Sequence, residues 1–118
     1  MNTKEIADRL VELCRQGKYK QAQQELFATN AKSIEPPQSP GAQSVEGLDN
    51  IIKKGEEFER MLEAVHGGHV SDPIVAGNCI AFGISIDATM KGTGRTKIEE
   101  IALYEVKDGK IVQEQFFY

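Results

Sequence analysis

The chain is short of the side chains that build metal and redox sites. It has two cysteines, Cys14 and Cys79, and two histidines, His66 and His69. The cysteines lie far apart, without metal-like spacing, and read as small buried hydrophobes. Nothing in them calls for an oxidising compartment, so the cytoplasm is the expected location. His66 and His69 flank Gly67-Gly68, where a long helix is expected to end. Two ligands with no obvious third make a poor metal site, so none is expected; as alternatives they are loop histidines or an acid or base at a pocket rim. A basic excess is missing too. Fourteen Lys and Arg against eighteen Asp and Glu leave a net charge of −4, which argues against nucleic acid or an anionic membrane as partner. No apolar run approaches the roughly 18–20 residues of a membrane span, and the opening Met1–Glu5 has no apolar signal core.

What is there suits a globular protein: 118 residues, 40% hydrophobic and 27% charged. That length fits one domain over residues 1–118 and excludes multidomain enzymes. A small pocket protein, a binding module and a subunit of an assembly remain.

The first half reads as helix. Asn2 followed by Glu5 has the form of a capping box. Ile6, Leu10, Leu13 and Cys14 then recur at helical spacing, and Gly17 fits the stop. A second helix is expected over about Lys18–Thr29 and a short strand over Ala31–Glu35. The proline-rich loop Pro36–Gly41 follows. Ser44 is expected to cap a long helix to about Ala64. Its inner face carries Val45, Leu48, Ile51, Ile52, Phe58, Met61 and Leu62, and Lys53, Lys54, Glu56, Glu57 and Glu59 form a solvated outer side.

The second half reads as sheet. Strands are expected over Val70–Ala76 (with Pro73 marking an edge or bulge), Asn78–Met90, Thr96–Val106 and Lys110–Tyr118. Asp108-Gly109 signals a two-residue hairpin, since both turn positions favour positive φ. Gly92-Thr93-Gly94 marks the other. The fold class is therefore α+β: a curved antiparallel sheet with helices over one face.

An unbroken register from Asp108-Gly109 sets Leu103 opposite Glu114, Ile101 opposite Phe116 and Glu99 opposite Tyr118. A turn centred between Thr93 and Gly94 sets Ile84 opposite Leu103. One concave apolar face then carries Phe82, Ile84, Ile101, Leu103, Phe116 and Tyr118, with Glu114 among them. A one-residue slip would reverse the faces. Glu114 there would have a raised pKa and act as acid or base near neutrality, unless it reaches the rim or pairs with a lysine. Asp87 falls beside Glu100 on the other face, as a polar cluster at a dimer surface or as a carboxylate dyad.

The element order, the long hairpin Tyr104-Glu105-Val106-Lys107-Asp108-Gly109-Lys110 and the ending Glu114-Gln115-Phe116-Phe117-Tyr118 resemble the nuclear transport factor 2-like superfamily. Within it the chain looks most like SnoaL-like proteins. The resemblance implies a cone-like sheet enclosing an apolar pocket with three N-terminal helices, and a homodimer through the outer sheet face. It is weak for chemistry, because members include ketosteroid isomerases, polyketide cyclases, epoxide hydrolases, dehydratases and non-enzymatic transport factors.

One position carries over. In ketosteroid isomerases the base is an acidic residue just before a proline after the first short strand, and Ser33-Ile34-Glu35-Pro36 puts Glu35 there. Glu35 alternatively only ends a strand at a proline turn. The first helix lacks the isomerases' tyrosine, Ile101 and Leu103 stand near their oxyanion-hole aspartate, and Glu114 stands where cyclases use an aspartate. The only strand-region arginine, Arg95, lies at a turn. The expectation is a homodimer holding a small apolar organic ligand. If catalytic, it is an isomerase or cyclase using Glu35 and Glu114 without metal or cofactor, with Asp87, Glu99, Glu100, His66 and His69 as secondary candidates. A non-catalytic ligand-binding or assembly module is the competing reading.

Overall fold

The computed structural model describes residues 1–39 and 42–118. Helix α1 (Thr3–Arg15) opens on the capping box read from the sequence. The Asn2 side chain accepts the Glu5 N–H at 2.8 Å, and Glu5 Oε1 accepts the Asn2 N–H at 2.9 Å. Its buried face carries Ile6, Leu10 and Leu13, and each contributes roughly 1.5–3 kcal/mol by leaving water. Helix α2 (Tyr19–Leu26) leads directly into strand β1 (Phe27–Ile34), which starts four residues earlier than Ala31, the expected start. The cause is tertiary: Phe27 pairs with Ile111 and Ser33 with Glu114, in a parallel ladder that local propensity does not reveal.

Ser44 does not cap the third helix. Val45–Glu46 form a two-residue strand, β2, against Lys32–Ser33, and Gly47 precedes helix α3 (Leu48–Met61) at φ 93°. The Ser44 hydroxyl instead accepts the Glu35 N–H at 2.9 Å. The expected loop is described only as far as Ser39; its last two residues, Pro40 and Gly41, lie outside the described residues.

Gly67-Gly68 does not break the helix either. Strand β3 (Leu62–Val70) begins directly after α3, and both glycines lie within it. A Cβ on Gly68 would come 2.8 Å from the Ser85 carbonyl oxygen, so that position needs glycine for β3 to approach strand β5. The expected strand over Val70–Ala76 is divided: β3 ends at Val70, and the short β4 (Ile74–Ala76) follows Pro73. The remaining strands are β5 (Cys79–Met90), β6 (Gly94–Lys107) and β7 (Lys110–Phe117). The sheet order is β2-β1-β7-β6-β5-β3, with β4 also on β5. This is an α+β fold of three helices and a curved, unclosed, mostly antiparallel sheet.

The register differs from the sequence reading at two places, and both matter for the site. Met90 pairs with Gly94, so β5 and β6 are joined by the three-residue turn Lys91-Gly92-Thr93. Gly92 (φ 78°) and Gly94 (φ 90°) supply its left-handed positions. Ile84 consequently opposes Glu100, not Leu103, and Phe82 opposes Ala102. At the last hairpin, Asp108 (φ 52°) and Gly109 (φ 75°) make the expected turn, with Lys107 opposite Lys110. A bulge then shifts the ladder: Val106 pairs with Ile111 but Glu105 with Gln113, leaving Val112 as the extra residue. Tyr104 therefore opposes Glu114 and Ala102 opposes Phe116.

Glu114 and Phe116 stay on the inner face, but their β6 neighbours there are Glu100, Ala102 and Tyr104. Ile101 and Leu103 turn to the outer face, where Ile101 is 51% exposed. Inside, Phe82 stacks on Tyr104 at 5.3 Å between centroids, and Phe27 meets the same ring edge-on at 6.4 Å. Helices α1 and α3 cover this face with Ile6, Leu10 and Ile51.

Candidate active site

The site grows from the parallel β1–β7 pair. Ser33 and Glu114 are direct partners, and Tyr104 lies next across the sheet, so three polar side chains stand in one row on the covered face. Ser33 is fully buried and Glu114 is 4% exposed. Glu35 comes one residue after β1, where Pro36 ends the strand; it too is buried.

Lys54 joins these groups from α3. Its ammonium donates to Ser33 Oγ at 2.6 Å and to Glu35 Oε2 at 2.8 Å, and it lies 5.6 Å from the centre of the Phe116 ring. The other Glu35 oxygen, Oε1, accepts the Tyr118 hydroxyl at 2.7 Å, and Ser39 Oγ lies 2.7 Å from the same Tyr118 oxygen. Glu35 is thus held at both oxygens and at its backbone N–H.

Three carboxyl groups share this interior with one lysine, and burial shifts two of them. Burial pushes Glu114 up to about 7; the neighbouring Ser33 hydroxyl and the Lys54 charge only partly offset it. Glu100, on the inner face of β6, also rises to about 7, through burial and then through the Glu35 and Glu114 charges. Burial pushes Cys14 and Tyr19 up to about 12, and Tyr104 rises as well. These three stay protonated near neutrality, so the carboxyls carry the titration there.

A groove of about 350 Å³ opens beside Glu35, walled by Pro36, Pro37, Phe116, Phe117 and Tyr118 among others. A wider cleft of about 940 Å³ lies between α1 and the Asp72–Val75 segment. Glu35, Glu100 and Glu114 do not line it, and four of its five charges already pair with one another, Lys4 with Asp8 and Arg15 with Asp72, both at 2.9 Å or less. The smaller groove, not the larger cleft, meets the chemistry.

Several residues that the sequence singles out fall elsewhere in the fold. Ile101 and Leu103 are on the outer face, as above. Asp87 and Glu100 do not form a pair: Asp87 opposes Lys97 and is bridged by Arg95 at 2.9 and 3.1 Å, which holds its carboxyl below the usual range. Glu99 is exposed beside Lys97, opposite Ser85. His66 and His69 lie on β3; the former meets the Thr89 hydroxyl at 2.7 Å and the latter opposes Ser85. Among the described residues, no three or more His, Cys, Asp and Glu side chains gather to hold a metal ion. Nor is any described helix long and apolar enough to cross a membrane.

Lys54 is the residue that the sequence reading places wrongly, on a solvated face. Its side chain is 17% exposed. A signal is present: Lys54 stands three residues after the buried Ile51 and four before Phe58, on one helical stripe.

A SnoaL-like domain model matches residues 1–118. The chain belongs to the SnoaL-like family. A structure from Mesorhizobium loti, provisionally assigned as a SnoaL-like polyketide cyclase with "carbohydrate phosphatase" added, is 35% identical, with 100% of each chain covered and a TM-score of 0.92. An NTF2-like protein from Burkholderia thailandensis shares the fold at 16% identity and a TM-score of 0.82, over 99% of this chain and 90% of that one. A Catenulispora acidiphila protein of ketosteroid isomerase-like fold, solved with trimethylamine, matches at 19% identity and a TM-score of 0.74, over 99% and 87% of the two chains. Among curated proteins, none matches the sequence.

Proposed function

We propose that this SnoaL-like protein binds a small apolar carbonyl compound in the groove beside Glu35 and moves protons on it with carboxyl groups, as a cofactor-independent isomerase or cyclase. The observation that carries this reading is the pair of buried carboxyls next to an aromatic-walled groove, Glu35 bonded to Lys54 and Glu114 opposite Ser33 in the ladder. Glu35, paired with Lys54 at 2.8 Å and lining the groove, is the base. Glu114, titrating at about 7, is the acid. A group with that value gives and takes protons near neutral pH, which is what proton transfer next to a carbonyl requires. Of the expected lining, Phe116 and Tyr118 wall the groove, whereas Phe82 and Ile84 are buried in the core behind it. The Mesorhizobium loti relative, provisionally a polyketide cyclase, supports the cyclase arm of this reading.

Glu35→Gln and Glu114→Gln should each lower turnover of steroid-like or polyketide-like carbonyl compounds by about 10²–10⁴-fold. Turnover kept by both variants would exclude the assignment. The competing reading is a non-catalytic ligand-binding module. It is favoured by α1 having no tyrosine and by Ile101 and Leu103 facing outward, which leaves the isomerases' oxyanion donors without counterparts. Native mass spectrometry of freshly purified protein separates the two from an assembly role: a retained small molecule supports a pocket, and a copurified protein supports assembly.

The outer sheet face supports a homodimer. Ile101 and Phe117 are direct cross-strand partners there, 51% and 47% exposed, and covering such a pair is what a second copy would do. Sedimentation at micromolar concentration should show a dimer for the wild type and a monomer for Ile101→Glu; a wild-type monomer would contradict this. We place the protein in the cytoplasm.

A further inference from the structure

Glu35 is held at two oxygens by two different donors. Its Oε2 accepts from Lys54 at 2.8 Å, and its Oε1 accepts the Tyr118 hydroxyl at 2.7 Å. Glu35 and Tyr118 both line the groove, so the hydroxyl bonded to Oε1 stands where a ligand meets the base. We propose that Tyr118 is a catalytic hydrogen-bond donor of this site. It caps Glu35 at rest and turns its O–H to the ligand's carbonyl oxygen as Glu35 takes the ligand's α proton. This deepens the carbonyl reading of the same groove and rests on it.

The donor directions follow from counting hydrogens. A phenol has one, and that of Tyr118 goes to Glu35 Oε1. Ser39 Oγ, 2.7 Å from the same phenol oxygen, is therefore the donor in its own contact with Tyr118. Desolvation holds the Tyr118 hydroxyl above its ordinary value of 10, so the phenol keeps its proton near neutrality. Tyr118 thus donates a hydrogen bond and gives up no proton.

The hydrogen bond follows the charge. The α carbon and the carbonyl oxygen of a ketone are two bonds apart, so one ligand reaches both Glu35 Oε1 and the Tyr118 oxygen, which lie 2.7 Å from each other. The α C–H bond breaks and its proton bonds to Oε1. The C–H electron pair becomes the carbon–carbon π bond of the enolate, and the carbonyl π pair moves onto oxygen. No electrons leave the system and no co-reactant is needed. Glu35 is then neutral and a weaker acceptor, whereas the enolate oxygen is an anion and a stronger one. The Tyr118 O–H turns from the first to the second by rotation about its C–O bond. Lys54 stays on Oε2, so Glu35 keeps its place when Tyr118 lets go. A neutral ketone does not draw the donor away from a carboxylate. The bond to the ligand therefore forms only as the enolate forms, and it speeds the step without tightening ketone binding.

The test uses α-tetralone, a two-ring ketone of a size that a groove of about 350 Å³ admits. In D₂O, loss of its α-hydrogen signal by ¹H NMR reads proton abstraction directly. Tyr118→Phe should lower kcat for this exchange about 10²-fold or more and leave KM within about threefold. A second probe reads the donor without turnover. α-Naphthol, the aromatic counterpart of the tetralone enol, should bind the wild type about fivefold or more tighter than Tyr118→Phe, and naphthalene should bind both equally. A merely structural tyrosine would shift the two compounds alike, and that result would overturn the donor role. So would a loss of exchange that falls on KM. Wild-type kcat in Tyr118→Phe, with exchange lost in Glu35→Gln, would remove the donor role alone. Naphthol affinity that depends on Tyr118, with no tetralone exchange by the wild type, would remove the proposed proton chemistry alone. A wild type that binds neither tetralone nor naphthol would overturn both.

Discussion

Replacing Lys54 by methionine should lower the unfolding free energy by about 3–5 kcal/mol, the cost of leaving one member of a buried ion pair without its partner. The Lys54 and Glu35 side chains are 17% and 7% exposed, and the ammonium is also the donor that Ser33 Oγ accepts. Methionine replaces the stem of the lysine but not its charge, so the Glu35 carboxylate stays in the interior facing Glu100 and Glu114. The exposed pair Lys97–Glu99, 66% and 69% exposed, offers the contrast. Removing Lys97 should change stability by less than about 1 kcal/mol, because water already screens that pair. Urea unfolding at pH 7 measures both. Adding Glu35→Gln to Lys54→Met should recover most of the loss, since the uncompensated charge is then gone. A loss below about 1 kcal/mol for Lys54→Met would mean that the pair is solvated.

The second large effect is on the pH dependence of stability. Glu114 titrates at about 7 in the folded chain, against an ordinary value of 4.5. The folded state therefore holds a proton that the unfolded state has released throughout that interval. Wherever the folded state binds more protons, stability falls as pH rises. The contribution is fully present below about 4.5 and is lost progressively up to about 7, amounting to about 3 kcal/mol for Glu114 alone. Glu100 moves in the same direction, and since the two repel, their effects are not simply summed. Glu114→Gln should thus be near neutral at pH 5 and more stable than the wild type by about 2–3 kcal/mol at pH 8, because glutamine never ionises. Urea unfolding at the two pH values reads this. Equal stability of variant and wild type at pH 8 would contradict a raised Glu114.

A stabilising substitution at a residue proposed as the acid fits a general pattern, in which a functional group is kept in an environment that disfavours it. In the alternative, binding-only reading, the same carboxyl has no chemical reason to be buried.

The local features of the fold are legible because each is written in a few neighbouring residues. Asn2 and Glu5 cap α1, and Asp108-Gly109 turns the last hairpin, both as expected. Glu35 is picked out by the proline that follows it. The register is not legible, because it depends on where a bulge falls and how many residues a turn uses. Val112 is unpaired in the β7 ladder, and Lys91-Gly92-Thr93 takes three residues where a tighter turn is expected. Strand β6 cannot arbitrate between the two registers. It carries apolar residues on both faces, Ile101 and Leu103 outside and Ala102, Tyr104 and Val106 inside. Glu114 keeps its place on the inner face, but its neighbours on β6 change: Tyr104, not Leu103, is its cross-strand partner. Lys54 escapes notice for another reason. A charged residue on a polar-looking helix reads as solvated, although its spacing from the buried Ile51 puts it towards the covered side. The β1–β7 pairing that brings Ser33 to Glu114 joins residues 81 positions apart, and no local signal announces it.

The most direct measurement is the pH titration of the Glu114 carboxyl carbon by ¹³C NMR, assigned through its loss in Glu114→Gln. Everything proposed for the site requires a buried, proton-holding carboxyl beside Lys54 and Ser33. The expected midpoint is about 7. A midpoint at the ordinary glutamate value of about 4.3 would show a solvated carboxylate and contradict the site as described.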